Sequence, residues 1–355
     1  MAEELKEKLK NFLKIAKENQ ASDLHLVPNF PPFLRVERRL FPIPQQKALS
    51  EKETEEIAFL LLTEEQKRKF LENKDIDLSF EFGEVRGRIN IFFAQGKISL
   101  AIRLIPKKIR TVEELNLPPI LHYFVQKPQG FLLVCGPASH GKSTTLAALV
   151  EDINQKREAH IITIEDPIEY VFESKKSIIE QREVGKDVVS FARGLRSALR
   201  QDPDVIVVGE MRDVESMAIA ITAAETGHLV LSTLHTNSAA QTLHRIIDSF
   251  PAQQQPQIRA QLAGSLLGII SERLLPRRGG GLIPACEILI NNAAVANLIR
   301  EGKIHEIPLV IETSAEEGMV SLNQSLVALI KRNEIDLETA LKYSLAPQEL
   351  KMLLR

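Results

Sequence analysis

The residues best suited to chemistry form a glycine-bounded segment near the middle of the chain. This phosphate loop reads Gly136-Pro137-Ala138-Ser139-His140-Gly141-Lys142-Ser143-Thr144 and fits the spacing G-x-x-x-x-G-K-[ST]. Backbone N–H groups of such a loop, and of the helix that follows it, can bind phosphate oxygens. We expect Lys142 to reach the β- and γ-phosphates of a nucleotide and Ser143 to place its hydroxyl on Mg²⁺. The segment therefore predicts a nucleotide site, and a chance match in a loop is the alternative.

A second group of candidates ends the apolar run Val205-Ile206-Val207-Val208, where Gly209 and Glu210 follow. Most nucleotide hydrolases place an Asp at this strand end to hold Mg²⁺. Because Gly209 stands there instead, we expect Glu210 to orient or deprotonate the attacking water. A solvated acid that ends a strand is the alternative interpretation.

Carboxylates also follow the apolar run that ends at Ile164, in the segment Glu165-Asp166-Pro167-Ile168-Glu169. If Gly209 leaves Mg²⁺ short of a ligand, Glu165 or Asp166 could supply one, directly or through water. The alternative is a helix start surrounded by surface acids. Asp166 and Glu169 fit that alternative better than Glu165 does.

Two histidines, seven residues apart, bracket the run Leu229-Val230-Leu231-Ser232. Period two puts His228 and His235 on opposite faces of an unbroken strand, so both need not point at one site. His235 lies at the carboxyl end beside Thr233 and Thr236, and we expect it to sense the γ-phosphate. A structural role is the alternative for each histidine. Metal binding is not expected, because no companion ligand has suitable spacing.

Several arginines are candidates for the positive group that stabilises charge developing on a transferred phosphoryl group, sometimes from another subunit. Arg88 and Arg103 lie on the polar face of the N-terminal strands described below. Arg193, Arg196 and Arg200 fall at helical spacing just before the run at 205–208. A solvated charge or a salt bridge is the alternative for each of these arginines.

These candidates need a scaffold that brings strand ends together. Short continuous apolar runs, separated by helical segments, occur at 131–135, 160–164, 205–208 and 228–232. Such runs are typical of strands buried on both faces of a mostly parallel sheet flanked by helices. We expect a helix over about 142–152, directly after the phosphate loop, and mainly helical structure from about residue 250.

The N-terminal part of the chain has a different pattern. An amphipathic helix is predicted by apolar residues at helical spacing, namely Leu5, Leu9, Phe12, Leu13 and Ala16. Residues 50–73 are also helical in pattern, with Ser50 and Thr54 at the start. An antiparallel meander with one buried face is predicted by alternating segments at 76–82, 89–93 and 98–104.

We therefore predict an α/β protein with two domains. A small α+β domain covers 1–105, residues 106–118 form a linker with a short helix, and 119–355 form the larger domain with a helical C-terminal portion. The chain of 355 residues is long enough for two domains of ordinary size.

Composition narrows the classes of function. The 45 Lys and Arg nearly balance the 47 Asp and Glu, and Trp is absent, so a protein that binds nucleic acid through one large positive field is not expected. Cys135 and Cys286 alone can form neither a disulfide framework nor a four-Cys zinc site, and a reducing cytosolic setting is the simplest interpretation. No apolar run approaches membrane-spanning length, and the charged N-terminus has no signal-peptide core.

Taken together, the motifs resemble the secretion ATPase superfamily of type II and type IV secretion and type IV pili. Its signature is complete over Leu199-Arg200-Gln201-Asp202-Pro203-Asp204-Val205-Ile206-Val207-Val208-Gly209-Glu210-Met211-Arg212-Asp213. Further similarity lies at 21–26, 160–169, 181–184, 222–228 and 297–301. Within the superfamily the chain is most similar to the type IV pilus retraction, or twitching motility, ATPases, and the similarity covers nearly its whole length.

This resemblance implies a PAS-like N-terminal domain and a RecA-like ATPase domain, assembled as a homohexameric ring. It implies that ATP and Mg²⁺ bind between the domains, completed by arginines, with Glu165 in an acidic box and His228 and His235 in a histidine box. It also implies hydrolysis that drives pilus retraction through an inner-membrane platform protein. The ring would be cytoplasmic and peripheral to that membrane, without a span of its own.

The sequence departs from the family pattern at three places. Ala138-Ser139-His140 replaces the usual T-G-S of the phosphate loop, which removes a glycine and its easy access to positive φ. We expect His140 either to add a donor near the phosphates or to obstruct them. The segment 35–39 lacks the usual turn glycine, and Ala296 replaces the first Arg of the A-I-R-N-L-I-R-E motif.

Three other functions stay open at this point. Pilus assembly and secretion ATPases are typically longer at the N-terminus and often carry a four-Cys motif, and this chain has neither feature. A nucleic-acid translocase on the same core would predict a basic groove with stacking aromatics. The altered phosphate loop leaves a non-hydrolysing, ATP-binding regulatory ring subunit as the third.

Overall fold

The computed structural model describes residues 2–37, 39–83, 85–105 and 108–354, without the side chain of Ala2. It divides into two compact units. The first runs to Lys108 and includes Glu169–Val171, and the second comprises Ile109–Ile168 and the chain from Phe172 onward.

The first unit is an antiparallel sheet with helices. Its helices are Ala2–Glu18 (α1), Glu51–Leu60 (α2) and Glu64–Asn73 (α3). Its strands are Asp23–Leu26 (β1), Phe33–Val36 (β2), Arg39–Pro42 (β3), Asp75–Phe82 (β4), Val85–Ala94 (β5) and Lys97–Ile105 (β6). The sheet has the order β3-β2-β1-β6-β5-β4, and each neighbouring pair is antiparallel.

The local patterns of this unit are confirmed. The predicted stripe of α1 is buried at all five of its positions. Ser50 begins α2 through a capping box whose partner is Glu53, not Thr54. The predicted meander is β4-β5-β6, in which Ile89 and Ile91 of β5 and Ile102 of β6 are fully buried.

The second unit contains a central sheet with helices on both faces. Its strands are Gly130–Cys135 (β7), His160–Glu165 (β8), Ile178–Glu183 (β9), Val205–Val208 (β10), Leu229–Leu234 (β11), Leu266–Pro276 (β12) and Leu282–Ile290 (β13). Its helices are Leu121–Val125 (α4), Lys142–Lys156 (α5), Phe191–Ala198 (α6), Val214–Glu225 (α7), Ala239–Ser249 (α8), Gln255–Ser265 (α9), Ala293–Glu301 (α10), Ile307–Thr313 (α11), Leu322–Lys331 (α12), Leu337–Tyr343 (α13) and Pro347–Leu353 (α14). Short 3₁₀ helices form at Ile304–Glu306 and Ala315–Glu317.

The central sheet has the order β13-β12-β7-β11-β10-β8-β9. Every neighbouring pair is parallel except β12 with β13. Alternate side chains of the buried strands enter two hydrophobic clusters, one on each face, so Phe131 and Leu133 pack with α7 and α9 while Leu132 and Val134 pack with α4 and α5. The continuous apolar runs therefore indicated doubly covered strands correctly.

Two regions differ from the sequence expectation. The region after residue 250 is mainly helical as expected, but it also contains β12 and β13, which extend the central sheet beside β7. In the predicted linker, residues 112–116 form turns instead of a short helix, and Val112 and Leu117 are buried in the second unit. Pro106 and Lys107, also assigned to the linker, lie outside the described residues.

The described part of the chain has no helix long and apolar enough to cross a bilayer. Within those same residues, no three His, Cys, Asp or Glu side chains are grouped as they would be around a metal ion. Cys135 and Cys286 are both buried free thiols.

Candidate active site

The phosphate loop lies between β7 and α5, as its mechanism requires. Gly136 and Gly141 have φ values of 149° and 95°, in the region that favours glycine. Close packing also excludes a side chain at both positions: a Cβ on Gly136 would lie 2.3 Å from the carbonyl oxygen of Glu272, and a Cβ on Gly141 would lie 2.6 Å from its Oε1. The two glycines let the loop approach β12 this closely.

The altered residues of the loop take distinct positions. Ser139 adopts φ of 62°, so this serine occupies the left-handed region that a glycine would reach without cost. His140 turns toward β12, where its Nδ1 accepts the N–H of Leu274 at 2.9 Å, and its ring meets Tyr343 edge-on. Pro137 is half-buried and Ala138 is exposed. This ring is bonded to β12, and the expected effect of His140 on bound phosphates stays a prediction.

Lys142 is buried and its ammonium folds back onto the loop. It donates to the carbonyl oxygens of Gly136 at 2.9 Å and Pro137 at 2.8 Å, and its Nζ lies 3.2 Å from Nδ1 of His235. Ser143 is exposed and Thr144 half-buried in the first turn of α5. The lysine can therefore exchange loop carbonyls for phosphate oxygens by a change of side-chain conformation.

A chain of polar contacts links Lys142 to the end of β10. Because the ammonium donates to Nδ1 of His235, the ring proton lies on Nε2, which is 3.5 Å from Oε2 of Glu210. The other oxygen of Glu210 pairs with Arg212. Burial and the neighbouring ammonium lower the pKa of His235, which favours the neutral ring. Glu210 and His235, which are 25 residues apart in sequence, thus lie together beside the phosphate loop.

Hydrogen bonds hold the ends of β8, β10 and β11 in a fixed arrangement. The N–H of Gly209 donates to the carbonyl oxygen of Ile164 at 2.8 Å. The carbonyl oxygen of Gly209 accepts the Thr233 hydroxyl at 2.6 Å. These bonds place Glu165, Glu210 and His235 at the carboxyl ends of adjacent strands.

Glu165 is held by its own neighbours. Its Oε1 accepts hydrogen bonds from the Thr163 hydroxyl at 2.6 Å and from Nε2 of Gln181 at 3.1 Å. The side chain of an Asp at position 209 would lie close to Glu165, because a Cβ on Gly209 would be 3.4 Å from Cα of Glu165. Asp166 is exposed and contributes to raising the pKa of Arg212, after the larger effect of Glu210. Glu169 is half-buried in the loop that follows.

His228 lies at the other end of β11 from His235. Its Nδ1 donates to the carbonyl oxygen of Ala223 at 3.0 Å, near the C-terminus of α7. This contact supports the structural interpretation of His228. The two histidines lie at opposite ends of β11.

The candidate arginines of the first unit are cross-strand neighbours. Arg88 and Arg103 are register partners on β5 and β6. Nε of Arg88 lies 3.4 Å from Oδ1 of Asp77, and Nε of Arg103 donates to Oδ1 of Asp23 at 3.0 Å. Both arginines have the salt bridges that were the alternative interpretation.

The arginines near α6 contact the second unit itself. Arg196 pairs with Glu215 of α7 at 2.6 Å. Arg200 donates to the carbonyl oxygen of Arg196 at 2.8 Å. Arg193 is exposed on the same helix.

Sequence reasoning missed two residues beneath the phosphate loop. Glu272 of β12 is 2% exposed, and its Oε2 accepts the Thr145 hydroxyl at 2.6 Å. Thr145 directly follows the motif, but nothing in the spacing indicated a partner 127 residues away. Glu272 lies on a strand that was not predicted, so no sequence signal tied it to the loop.

Comparison with known proteins agrees with this geometry. The Type II/IV secretion system protein family matches residues 2–333. The type IV pilus retraction ATPase PilT of Pseudomonas aeruginosa is 42% identical over 340 residues, covering 95% of this chain and 98% of PilT. A twitching motility protein of Neisseria gonorrhoeae is 45% identical, with 87% and 83% of the two chains covered.

A solved structure extends the similarity to three dimensions. The crystal structure of the pilus retraction motor PilT with bound ADP has a TM-score of 0.86 and 45% identity to this chain. The match covers 96% of this chain and 98% of the other. The chain therefore belongs to the type II/IV secretion system protein family and is an ATPase.

Proposed function

We propose that this chain is the subunit of a hexameric ATP-hydrolysing motor that powers type IV pilus retraction and twitching motility. The names of its relatives support the biological task. The observation that carries the chemistry is the contact chain from Lys142 through His235 to Glu210, because it joins the phosphate loop to a carboxylate suited to water activation.

In this proposal the two units correspond to a PAS-like domain over 1–105 and a RecA-like ATPase domain over 119–355, joined through 106–118. The antiparallel six-stranded sheet and the parallel-rich seven-stranded sheet support that division. The active unit is a homohexamer that works at the cytoplasmic side of the inner membrane on a platform protein. The near balance of charge supports a protein partner over nucleic acid.

ATP binding would begin at the phosphate loop. Backbone N–H groups of 136–144 and the N-terminus of α5 bind the phosphate oxygens. Lys142 leaves the carbonyl oxygens of Gly136 and Pro137 and pairs with the β- and γ-phosphates. His235 loses its hydrogen-bond donor in this step, so the arrival of the γ-phosphate is transmitted to the ring that faces Glu210.

The residues at the strand ends fit Mg²⁺ as well as ATP. Mg²⁺ prefers one or two protein oxygens together with phosphate oxygens and water. The Ser143 hydroxyl is exposed in the first turn of α5, and the carboxylates of Glu165 and Glu210 could hold its water ligands. When bound, Mg²⁺ would neutralise charge on the β- and γ-phosphate oxygens.

Glu210 performs the proton transfer in this scheme. Its carboxylate accepts a proton from the attacking water as the new bond from oxygen to the γ-phosphorus forms. The bond from that phosphorus to the bridging oxygen breaks, and ADP carries away the electron pair. Arg212 pairs with the Glu210 carboxylate before the step, and His235 stabilises its orientation. Arg88 and Arg103 are proposed to reach the γ-phosphate after leaving Asp77 and Asp23.

The test measures steady-state ATP hydrolysis by the full chain with Mg²⁺, beside a Glu210→Gln variant. Loss of the base should lower the rate by roughly 10²-fold or more. Glu215→Gln is the matched control, since that carboxylate is 52% exposed and pairs with Arg196. Equal rates in the parent and Glu210→Gln would refute the assignment.

A cellular test addresses retraction itself. Deleting the gene should leave bundles of unretracted pili and abolish twitching, and the parent gene should restore both. Restoration by Glu210→Gln would contradict a motor driven by this site. Loss of pilus assembly, with no surface pili at all, would favour an assembly ATPase instead.

A further inference from the structure

A carboxyl group lies directly beneath the phosphate loop, and the proposed function gives it no task. Glu272 lies within β12 and its side chain is buried. Its Oε2 accepts the hydroxyl of Thr145 in the first turn of α5 at 2.6 Å. A Cβ on Gly141 would lie 2.6 Å from its Oε1, so the carboxyl packs against the last glycine of the loop.

The backbone of the same residue supports the other end of the loop. A Cβ on Gly136 would lie 2.3 Å from the carbonyl oxygen of Glu272. One residue of β12 therefore contacts both glycines that bound the loop. These contacts leave no space for added atoms, so Glu272 lies directly against the loop. A change in its charge therefore acts on the loop over a very short distance.

The surroundings of this carboxyl hold little positive charge. From α5, the ammonium of Lys142 attracts the carboxylate. From β13 comes the buried thiol of Cys286, and Glu272 adds to the burial that raises the pKa of this thiol. Burial raises the pKa of Glu272 to about 7, against the smaller opposing effects of Thr145 and Lys142.

Nucleotide binding as proposed above would change the electrostatics at Glu272 in two ways that act in the same direction. The phosphates bring negative charge to the opposite side of the loop. Lys142 turns its charge toward those phosphates and away from the carbonyl oxygens of the loop. Each change disfavours a negative carboxylate beneath Gly141.

We propose that Glu272 is a positioning residue of the phosphate loop that takes up one proton from solvent when nucleotide phosphates bind above it. The inference rests on the proposed nucleotide site. The neutral carboxyl keeps the Thr145 hydroxyl bound and supports the loop without repelling the phosphates. The ionised carboxyl holds the same hydroxyl but opposes the ligand, so nucleotide affinity falls as pH rises.

Calorimetric titration of the full chain with ADP in saturating Mg²⁺ tests this coupling. Titrations at pH 7.5 in buffers of different ionisation enthalpy give the number of protons taken up. Relative to Glu272→Gln, the parent should take up about 0.5–0.8 more proton per nucleotide. The Gln amide oxygen can still accept the Thr145 hydroxyl, so the variant removes the titration and keeps the contact.

Glu287→Gln is the matched control. Glu287 is a half-buried carboxylate of the central sheet, on β13, and burial raises its pKa as well, but its Oε1 accepts the N–H of Ala239 instead of a group of the phosphate loop. This variant should keep the proton uptake of the parent. Equal uptake in the parent and Glu272→Gln would overturn the proposal.

A second variant keeps the test informative if Glu272→Gln does not fold. Thr145→Val removes the hydroxyl that favours the ionised carboxyl, so the pH at which uptake begins to fall should move upward. An unchanged pH profile in Thr145→Val would overturn the proposal. If the parent does not bind ADP, the proposed function fails, whereas binding without proton uptake contradicts this inference alone.

Discussion

Glu210 and Glu272 lie on two sides of the phosphate loop and illustrate two ways of holding a carboxylate. Glu210, beyond the end of β10, has a side chain that is 15% exposed and lies between Arg212 and His235. Glu272, inside β12, is fully buried and accepts the Thr145 hydroxyl. The first carboxylate has a charged partner, and the second has a neutral donor and the electrostatic attraction of Lys142 without an ion pair.

The difference follows from position along a strand. A residue that follows a parallel strand reaches the edge of the sheet, where ligands and water have access. A residue within a central strand faces side chains from the covering helices. The edge carboxylate can therefore do chemistry on a ligand, while the buried one acts through the loop that it supports.

Substitutions at the buried contact between the phosphate loop and Glu272 should have the largest effect on stability. Gly136→Ala would place a methyl group 2.3 Å from a backbone oxygen, at φ of 149°. Steric overlap and backbone strain should together lower the free energy of unfolding by roughly 4 kcal/mol. Denaturant unfolding measures this loss. Gly264→Ala in α9 is the control, because nothing lies within 4 Å of the added atom, and the loss should be absent there.

Glu272→Gln should show how the buried carboxyl makes stability depend on pH. The pKa of Glu272 is raised from 4.5 to about 7 in the folded chain, so folding favours its protonated form. This contribution is complete below about pH 4.5 and is lost as pH rises through 7. The unfolding free energy of the parent should therefore fall relative to the variant by about 3 kcal/mol between pH 4.5 and 8. A pH-independent difference between the two proteins would refute this electrostatic account.

Substitutions beside Glu210 should mainly change the rate of ATP hydrolysis. His235→Gln removes the ring that links Lys142 to Glu210 and should lower ATP hydrolysis about tenfold, with little change in ADP affinity. Steady-state rates and calorimetric affinities separate these effects. His244→Gln, at an exposed position of α8, is the control. An equal loss in the two variants would show that the contact chain is not used.

The smallest expected effect concerns the altered loop. Ser139→Gly relieves a left-handed serine at φ of 62° but adds freedom to the unfolded chain. The net gain in unfolding free energy should be roughly 0.5 kcal/mol. Ala138→Gly is the control: it adds the same freedom to the unfolded chain but relieves no strain, so it should be destabilised. Thermal unfolding measures both variants. A less stable Ser139→Gly variant would contradict the inference that the backbone at Ser139 is strained.

Local patterns predicted the first unit and the parallel core well. The α1 stripe and the Ser50 cap depend on neighbours within one helix, and the strands of the β4-β5-β6 meander pair with strands adjacent in sequence, so period and capping chemistry are decisive. The run Leu266–Pro276 was missed because Ser271, Glu272 and Arg273 interrupt its apolar residues. Their burial depends on partners from other elements.

The candidate site divides in the same way. The motif at 136–144 and the acids at the carboxyl ends of β8 and β10 were found from spacing and strand-end position. The pairing of Lys142 with His235, the salt bridges of Arg88 and Arg103, and the turn of His140 toward Leu274 required the fold. Contacts between residues far apart in sequence leave no periodic signal.

By itself, the sequence determined that a glycine-bounded loop joins a buried strand to a helix and that acids and a histidine follow neighbouring strands. Those features depend on local conformation and on the order of apolar runs. The tertiary structure alone decided which side chains surround the loop. It placed Glu210 beside Arg212 and His235, and it buried Glu272 under Gly141. The physical reason is that burial and charge are set by neighbours in space, so the same residue type acquired two different electrostatic environments.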